Sequence, residues 1–402
     1  MELLTEQGRE LLSRLSGEET GPDRALQLAQ SLRGRYPPGL VAAALTQRAL
    51  RQAARSKFSR AEEMLFTRDG LEQASSEITA SHAAERFPAA SVVADLCCGI
   101  GGNLIALGRG RRLLAVDRDL VSLAYARHNA FIYDAADGLA VVAADVREIT
   151  LAGVDAVFVD PARRASGRRL AAGRSQPPLR WCLELAGQVP AVGIKAAPGL
   201  PRELVPGGWE AEFVAVGREL KEALLWSPAL ATARRRATVL PSGDTLTEAP
   251  GADAAPPAEP GADRPAPWPG PPGGSAPIAD PGAFLLDPSP AVTRAGLVQD
   301  LGRQLGAWQI DPDIAFLSSD RELRTPFART LRVLESAPWH ERRFARRLAE
   351  LGIGAADIRR RGLAGDVQQI HRRLDLHGPG RATVVITRAS ARPWGLICTE
   401  VT

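Results

Sequence analysis

The sequence predicts an α/β protein: a mostly parallel central sheet, a helical region before it, and a smaller α+β domain after it. Three observations carry that prediction. Between residues 91 and 195, five short and nearly continuous apolar runs alternate with helical stretches. Strands of that kind, separated by helices, belong to a parallel sheet covered on both faces. Four of these runs lead into aspartate, and the first is followed by a glycine-rich turn that opens a helix. Finally, the 42 residues 241–282 hold 12 prolines and 7 glycines, a composition that separates folded parts.

In order, residues 1–86 read as helices. Leu11, Leu12 and Leu15 recur at helical spacing, as do Leu26, Leu28, Ala29 and Leu32. Pro37-Pro38-Gly39 punctuates, a longer helix is expected from Leu40 to about Phe58, and another from Ser75 to Phe87. Residues 87–240 form the sheet domain. Its expected strands are 91–95, 113–117, 140–145, 155–160 and 191–195, with helices after Asn103 and up to Asn129. Glu212–Val216, Glu222–Trp226 and Ala237–Leu240 follow without long helices and are expected as antiparallel additions at one edge. Residues 241–282 are expected to be a linker, and 283–402 a second domain. That domain has helices near 292–305 and 340–351, and two terminal strands, 382–387 and 395–401, joined at Ala391-Arg392-Pro393.

The 402 residues allow two or three domains and a sizeable core. No run of about 18 apolar residues exists, so no membrane-spanning helix is expected. Met1-Glu2-Leu3-Leu4-Thr5-Glu6 lacks a basic-then-apolar pattern, and Cys97, Cys98, Cys182 and Cys398 form no disulfide or zinc spacing, so a reducing cytoplasm is expected. No metal is expected either: His82, His128, His340, His371 and His377 share no ligand spacing with nearby acids. Net charge is +4, distributed as −1 over 1–85, +5 over 86–240, −5 over 241–282 and +5 over 283–402. Two basic folded parts flank an acidic stretch, which permits a polyanionic partner. The bases are almost all arginine, so arginine count alone argues little.

The strongest chemical signal is Val93-Ala94-Asp95-Leu96-Cys97-Cys98-Gly99-Ile100-Gly101-Gly102-Asn103. A strand ends in an acid and a glycine loop opens a helix, at the sheet edge where open α/β sheets bind ligands. A nicotinamide or flavin fingerprint needs glycine three residues after Gly101, and that position is Leu104. Asp117, 22 residues beyond Asp95, ends the second strand, where a carboxylate can accept both hydroxyls of a ribose. Asp145 ends the third. The fourth ends in Asp160-Pro161-Ala162-Arg163-Arg164, and Arg168, Arg169, Arg174 and Arg180 follow with no acid from 161 to 180. That basic loop reads either as a phosphate-contacting lip or as a solvated charge run.

The D-x-x-x-G-x-G loop resembles motif I of the class I S-adenosylmethionine-dependent methyltransferases. The resemblance implies S-adenosyl-L-methionine as cofactor. Asp95, Cys97, Gly99, Gly101 and Asn103 would lie against its methionine end, Asp117 and Arg118 against its ribose, and Asp145 and Val146 against its adenine. Asp160-Pro161 resembles the start of the [DNS]-P-P-[FYW] motif of amine-directed methyltransferases, with Ala162 and Arg163 in place of the second proline and the aromatic. It implies catalytic roles for Asp160 and Pro161, with Arg163, Arg164, Arg168 and Arg169 meeting the substrate. Uracil-C5 RNA methyltransferases share a related motif but need a cysteine after the fifth strand, and Lys195-Ala196-Ala197-Pro198-Gly199 offers none.

Gly99-Ile100-Gly101-Gly102-Asn103 with Ala126-Arg127-His128-Asn129-Ala130-Phe131-Ile132-Tyr133 resembles the catalytic domain of trimethylguanosine synthase over roughly residues 58–160. The whole layout, with Leu286-Asp287-Pro288-Ser289-Pro290 opening the last domain, resembles methyltransferases carrying a C-terminal THUMP-like domain. These resemblances imply an RNA substrate, tRNA or rRNA, methylated on a nucleobase nitrogen. A protein or small-molecule acceptor, or an RNA-binding protein that keeps the fold without turnover, remains compatible with the residues.

Overall fold

The computed structural model describes residues 1–16, 22–32, 34–162, 164–165, 168–169, 175–248, 276–363, 366–374 and 376–401. It divides into two compact units, the first comprising Met1–Leu200, Pro206–Trp209 and Ala223–Thr232, the second the remainder.

The first unit begins with helices α1 (Glu6–Arg14), α2 (Pro22–Leu32), α3 (Pro38–Ala54), α4 (Arg68–Gln73) and α5 (Glu77–Ala84). Thr5 and Thr67 cap α1 and α4, each side chain accepting the backbone N–H of a glycine three residues on. The leucine stripe expected of α1 is buried with Leu40, Ala44, Phe58, Met64, Leu65 and Phe66. Ile100, Ile105 and Tyr125 join the same cluster, so this helical region and the sheet domain share a core.

The sheet of this unit has strands β1 (Val92–Leu96), β2 (Arg112–Asp117), β3 (Leu139–Ala143), β4 (Ala156–Val159) and, after two two-residue strands β5 (Arg164–Ala165) and β6 (Arg168–Arg169), β7 (Ala191–Ala196). Helices α6 (Leu104–Leu107), α7 (Leu120–Ile132) and α8 (Leu179–Glu184) alternate with them. Their order is β7-β4-β1-β2-β3, all parallel. β4 and β7 are buried throughout, as their uninterrupted apolar runs predict. Each strand lies within two residues of its expected position. The third ends earlier than expected, at Ala143, so Asp145 stands in the loop beyond it.

Of the edge runs, residues 223–226 of β9 (Glu219–Trp226) pair antiparallel with β7, as expected. The other two correct the reading. β8 (Glu210–Val216) and β10 (Arg235–Leu240) pair parallel to each other and belong to the second unit. β9 reverses the chain between them, so β10 returns in the direction of β8. The proline-rich stretch is also shorter than its composition suggests. The turn at Gly243, with φ +76°, folds β11 (Asp244–Thr247) back on β10, burying Leu246. At the other end Ala276 is buried and Ile278 bridges to Gln309. Residues 249–275 lie outside the described residues.

The rest of the second unit is a seven-stranded sheet. β12 (Phe284–Pro288), helices α9 (Pro290–Ala295) and α10 (Val298–Leu305), β13 (Trp308–Gln309), β14 (Leu317–Ser319) and β15 (Ala328–Pro338) come first. Helix α11 (Glu341–Glu350), β16 (Ile353–Arg360), α12 (Val367–Arg373), β17 (Gly380–Ala389) and β18 (Arg392–Glu400) complete it. The order is β13-β14-β12-β15-β18-β17-β16, antiparallel apart from the β16–β17 pair. The single helix expected near 292–305 is two, because Gly296 adopts φ +69° and ends α9. The terminal turn is Ser390-Ala391, both at positive φ, one residue earlier than expected.

Candidate active site

The parallel strands of the first unit end along one edge, and a cavity of about 760 Å³ opens there. Four loops that follow strands line it: 97–103 after β1, Asp117–Asp119 after β2, Ala144–Arg147 after β3, and Asp160–Ala162 after β4. Among the described residues, the segment 67–74 around α4 and Gln176-Pro177 also line it.

The glycine loop is strained in a way that suits close backbone approach. Cys97, Gly99 and Gly101 all have positive φ, at 61°, 52° and 87°. A Cβ on Gly99 would meet nothing within 4 Å, so this glycine faces open space. Its N–H donates to Asp117 Oδ2 at 2.9 Å, while Asp117 Oδ1 accepts the Asp119 N–H at 3.0 Å. The carboxylate is thereby oriented by two backbone donors and still borders the cavity. Gly101 serves packing instead. A Cβ there would lie 3.2 Å from the Ala126 backbone, so the glycine lets α7 pack against the loop.

Asp95 and Gly101 were expected against the cofactor, and neither borders the cavity. Asp95 is fully buried within β1, between Ala115 and Phe158 of the flanking strands, and both its carboxylate oxygens lack partners among the described residues. Burial, then the nearby Asp160 and Asp117, pushes its carboxyl well above the ordinary range. An acid one residue inside the strand end cannot reach the loop surface. Burial likewise raises the Cys97 and Cys98 thiols, so neither is a poised nucleophile.

Asp145, Val146 and Arg118 border the cavity as expected. Arg147, which belongs to none of the sequence motifs, grips Asp145: its Nε donates to Oδ1 at 2.9 Å and its Nη2 to Oδ2 at 2.6 Å. That fork and the Arg147 backbone N–H hold the Asp145 carboxyl well below its usual range.

Asp160, Pro161 and Ala162 line the cavity just beyond the end of β4. Asp160 Oδ2 accepts Lys195 Nζ at 2.7 Å and Asn103 Nδ2 at 3.3 Å. Lys195, from the end of β7, also donates to Ser75 Oγ at 2.8 Å. Sequence motifs mark Lys195 only as a neighbour of an absent cysteine. Its own signal is burial: a lysine inside the apolar run Ala191–Ala196 needs a buried partner. Of the basic lip, Arg163 and Arg174 lie outside the described residues, and Arg164, Arg168 and Arg169 are placed only as the backbone of the β5–β6 pair. Arg180 points to solvent and pairs with Glu184 at 3.0 Å.

The Ala126–Tyr133 motif holds the loop rather than lining the cavity. Asn129, fully buried, accepts the Leu65 N–H and donates to the Leu65 and Ile100 carbonyls. Tyr133 Oη accepts the Arg60 N–H and donates to Glu77.

Comparison with known proteins agrees with this geometry. Residues 90–164 match the family described as RNA cap guanine-N2 methyltransferase, residues 328–400 match THUMP domain-like, and residues 1–54 match a domain of unknown function. An uncharacterized S-adenosylmethionine-dependent methyltransferase, present in two strains of Mycobacterium tuberculosis, is 38% identical over 336 residues, 81% of this chain and 85% of that protein. The chain belongs to the S-adenosylmethionine-dependent methyltransferases.

A crystal structure from Porphyromonas gingivalis, provisionally assigned as a methyltransferase, shares the fold with a TM-score of 0.72 at 21% identity, covering 98% of each chain. The enzyme uses S-adenosylmethionine, and its cavity suits that group: an open glycine cradle, an oriented carboxylate at the β2 end, and an acid-and-apolar pair at Asp145-Val146. The fold expected for the methyltransferase, a parallel sheet with a helical N-terminus and a THUMP-like second domain, is the fold observed. Among the described residues no cluster of three metal-ligating side chains occurs, and no helix is long and apolar enough to cross a membrane.

Proposed function

We propose that this methyltransferase modifies a nucleobase nitrogen in RNA, tRNA or rRNA, and that Asp160 receives the acceptor. The observation that carries the reading is the state of Asp160 in the cavity wall: Oδ2 is engaged, while Oδ1 accepts no hydrogen bond from any described residue. A carboxylate oxygen of that kind takes an N–H of an incoming amine. Gly99, Asn103 and Cys97 would hold the methionine end of the donor, Asp117 with Arg118 its ribose, and Asp145 with Val146 its adenine. The bound donor supplies a methyl already activated on a sulfonium, whose sulfur keeps the bonding pair when the methyl leaves. The chain's part is alignment. The acceptor nitrogen's lone pair forms the new C–N bond, and the proton that nitrogen sheds passes to Asp160 Oδ1. Pro161 fixes the backbone that presents this oxygen.

The RNA acceptor is supported by the RNA cap guanine-N2 methyltransferase match over the core and the THUMP domain-like match over 328–400. The net +5 of residues 283–402 and the arginines after Pro161 suit a phosphate backbone. We also propose the division expected from sequence: a helical region over 1–86, the methyltransferase domain over 87–240, a linker within 241–282 and the THUMP-like domain over 283–402, with the linker reduced to the part between β11 and Ala276. A cytoplasmic location is part of the same reading.

The deciding experiment incubates the enzyme with methyl-labelled donor and total RNA or total protein, then identifies modified nucleosides by mass spectrometry. Label in an N-methylated nucleoside is expected. Label in protein alone, or in a small molecule, overturns the RNA assignment.

A further inference from the structure

Lys195 is the one lysine of β7 and its side chain is 4% exposed, in a strand otherwise built of Ala, Val, Gly and Ile. A buried ammonium is costly unless it is paired and fully hydrogen-bonded. Its described partners come from two directions. Asp160 Oδ2, at 2.7 Å, belongs to the cavity lining, and Ser75 Oγ, at 2.8 Å, directly follows Ala74, the last lining residue after α4. Asn103 Nδ2 approaches the same Oδ2 from the glycine loop. Asp160 is thus gripped on one oxygen by a strand β7 ammonium and a glycine-loop amide and left open on the other.

We propose that Lys195 is the positioning residue of the acceptor site: it clamps Asp160 through Oδ2 so that Oδ1 is presented to the acceptor N–H, and it balances the carboxylates gathered at the strand ends. The inference rests on the acceptor role assigned to Asp160 above. It also narrows the acceptor. A carboxylate oxygen accepts, so the matching group must carry a hydrogen to donate, which favours an amino group on a base over a ring nitrogen without hydrogen.

The charge relationship is testable without any acceptor. The methyl donor carries one positive charge at sulfur that its demethylated product lacks, so the ratio of their affinities reads the local field. Calorimetry with both ligands is performed on the wild type, Lys195→Met, Lys195→Arg, Asp160→Asn and the Lys195→Met/Asp160→Asn double variant. Lys195→Met is expected to raise the preference for donor over product by about three- to ten-fold, and Asp160→Asn to lower it. Lys195→Arg and the double variant should both lie near the wild type. The double variant buries no unpaired charge, so it serves where Lys195→Met alone does not fold. A ratio unchanged in Lys195→Met, or both ligands weakened equally in every variant, would show a packing role only and overturn the proposal.

Turnover supplies the second arm, using whichever acceptor the labelling experiment identifies. Lys195→Met should lower kcat at least about ten-fold with the donor KM within about two-fold, and Lys195→Arg should recover most of it. The double variant should be no slower than Asp160→Asn, because Lys195 acts through Asp160. Effects that multiply in the double variant overturn the clamp. If wild-type enzyme labels no RNA, the RNA reading falls by itself and the affinity ratios still decide the role of Lys195.

Discussion

The Gly99 N–H donates to Asp117 Oδ2 across 2.9 Å, which locks the cradle of the glycine loop to the acid at the end of the neighbouring strand. One side chain therefore shapes the loop and faces the cavity. Asp117→Ala should weaken donor binding roughly ten-fold or more, since a charge-assisted hydrogen bond contributes about 1.5–3 kcal/mol. Calorimetry checks this, and affinity within two-fold of wild type would remove Asp117 from the ribose site.

Asn129 makes three buried hydrogen bonds, joining Leu65 to Ile100. Replacing it by alanine strands two carbonyls and an N–H in the core. Unfolding free energy should fall by about 3 kcal/mol, read by denaturant titration. Because Ile100 lies in the glycine loop, donor affinity should weaken too, although Asn129 does not border the cavity.

Asp95 gives a pH prediction with a definite sign. Its folded-state carboxyl binds its proton more tightly than the unfolded chain does, first through burial and then through Asp160 and Asp117. Its contribution to stability is therefore full below the unfolded value and is lost as pH rises toward the folded one. Asp95→Asn cannot ionise, so its stability relative to wild type should improve from pH 5 to pH 8. Denaturation midpoints of both proteins across that range test it; a gap that stays constant or closes would contradict it.

Replacing Arg168, Arg169 and Arg174 by alanine should weaken RNA binding and flatten its salt dependence by about 0.7–0.9 per lost phosphate contact. Donor affinity should hardly move, because the groups assigned to the donor, from Cys97 to Asn103, Asp117-Arg118 and Asp145-Val146, belong to other loops. Filter binding across a salt series is the measurement, and an unchanged slope takes the arginines out of the RNA site.

Much of the core was legible because its determinants are local. Five apolar runs set five parallel strands, and the spacing of Asp95, Cys97, Gly99 and Gly101 set the turn that opens α6. The second domain is less legible. β15 and β16 mix charged and apolar residues and are only partly buried, so no clean alternation marks them. β11 sits among turn residues, and it forms because β10 is beside it, not because its own four residues demand a strand.

The sequence by itself determined the strand succession, the glycine loop, and the arrival of acids at the ends of adjacent strands. Those are properties of residues close along the chain, where propensity and spacing act. Only the tertiary structure decided which acids face the cavity. A shift of one residue along β1 buries Asp95, while Asp117, at the last position of its strand, is exposed to the cavity and oriented by the loop next to it. It also decided that Lys195 meets Asp160 from 35 positions away and Ser75 from 120, since the pairing of β4 with β7 brings those strand ends together. A buried charge takes whatever partner the fold supplies, and no pattern along the chain names that partner in advance.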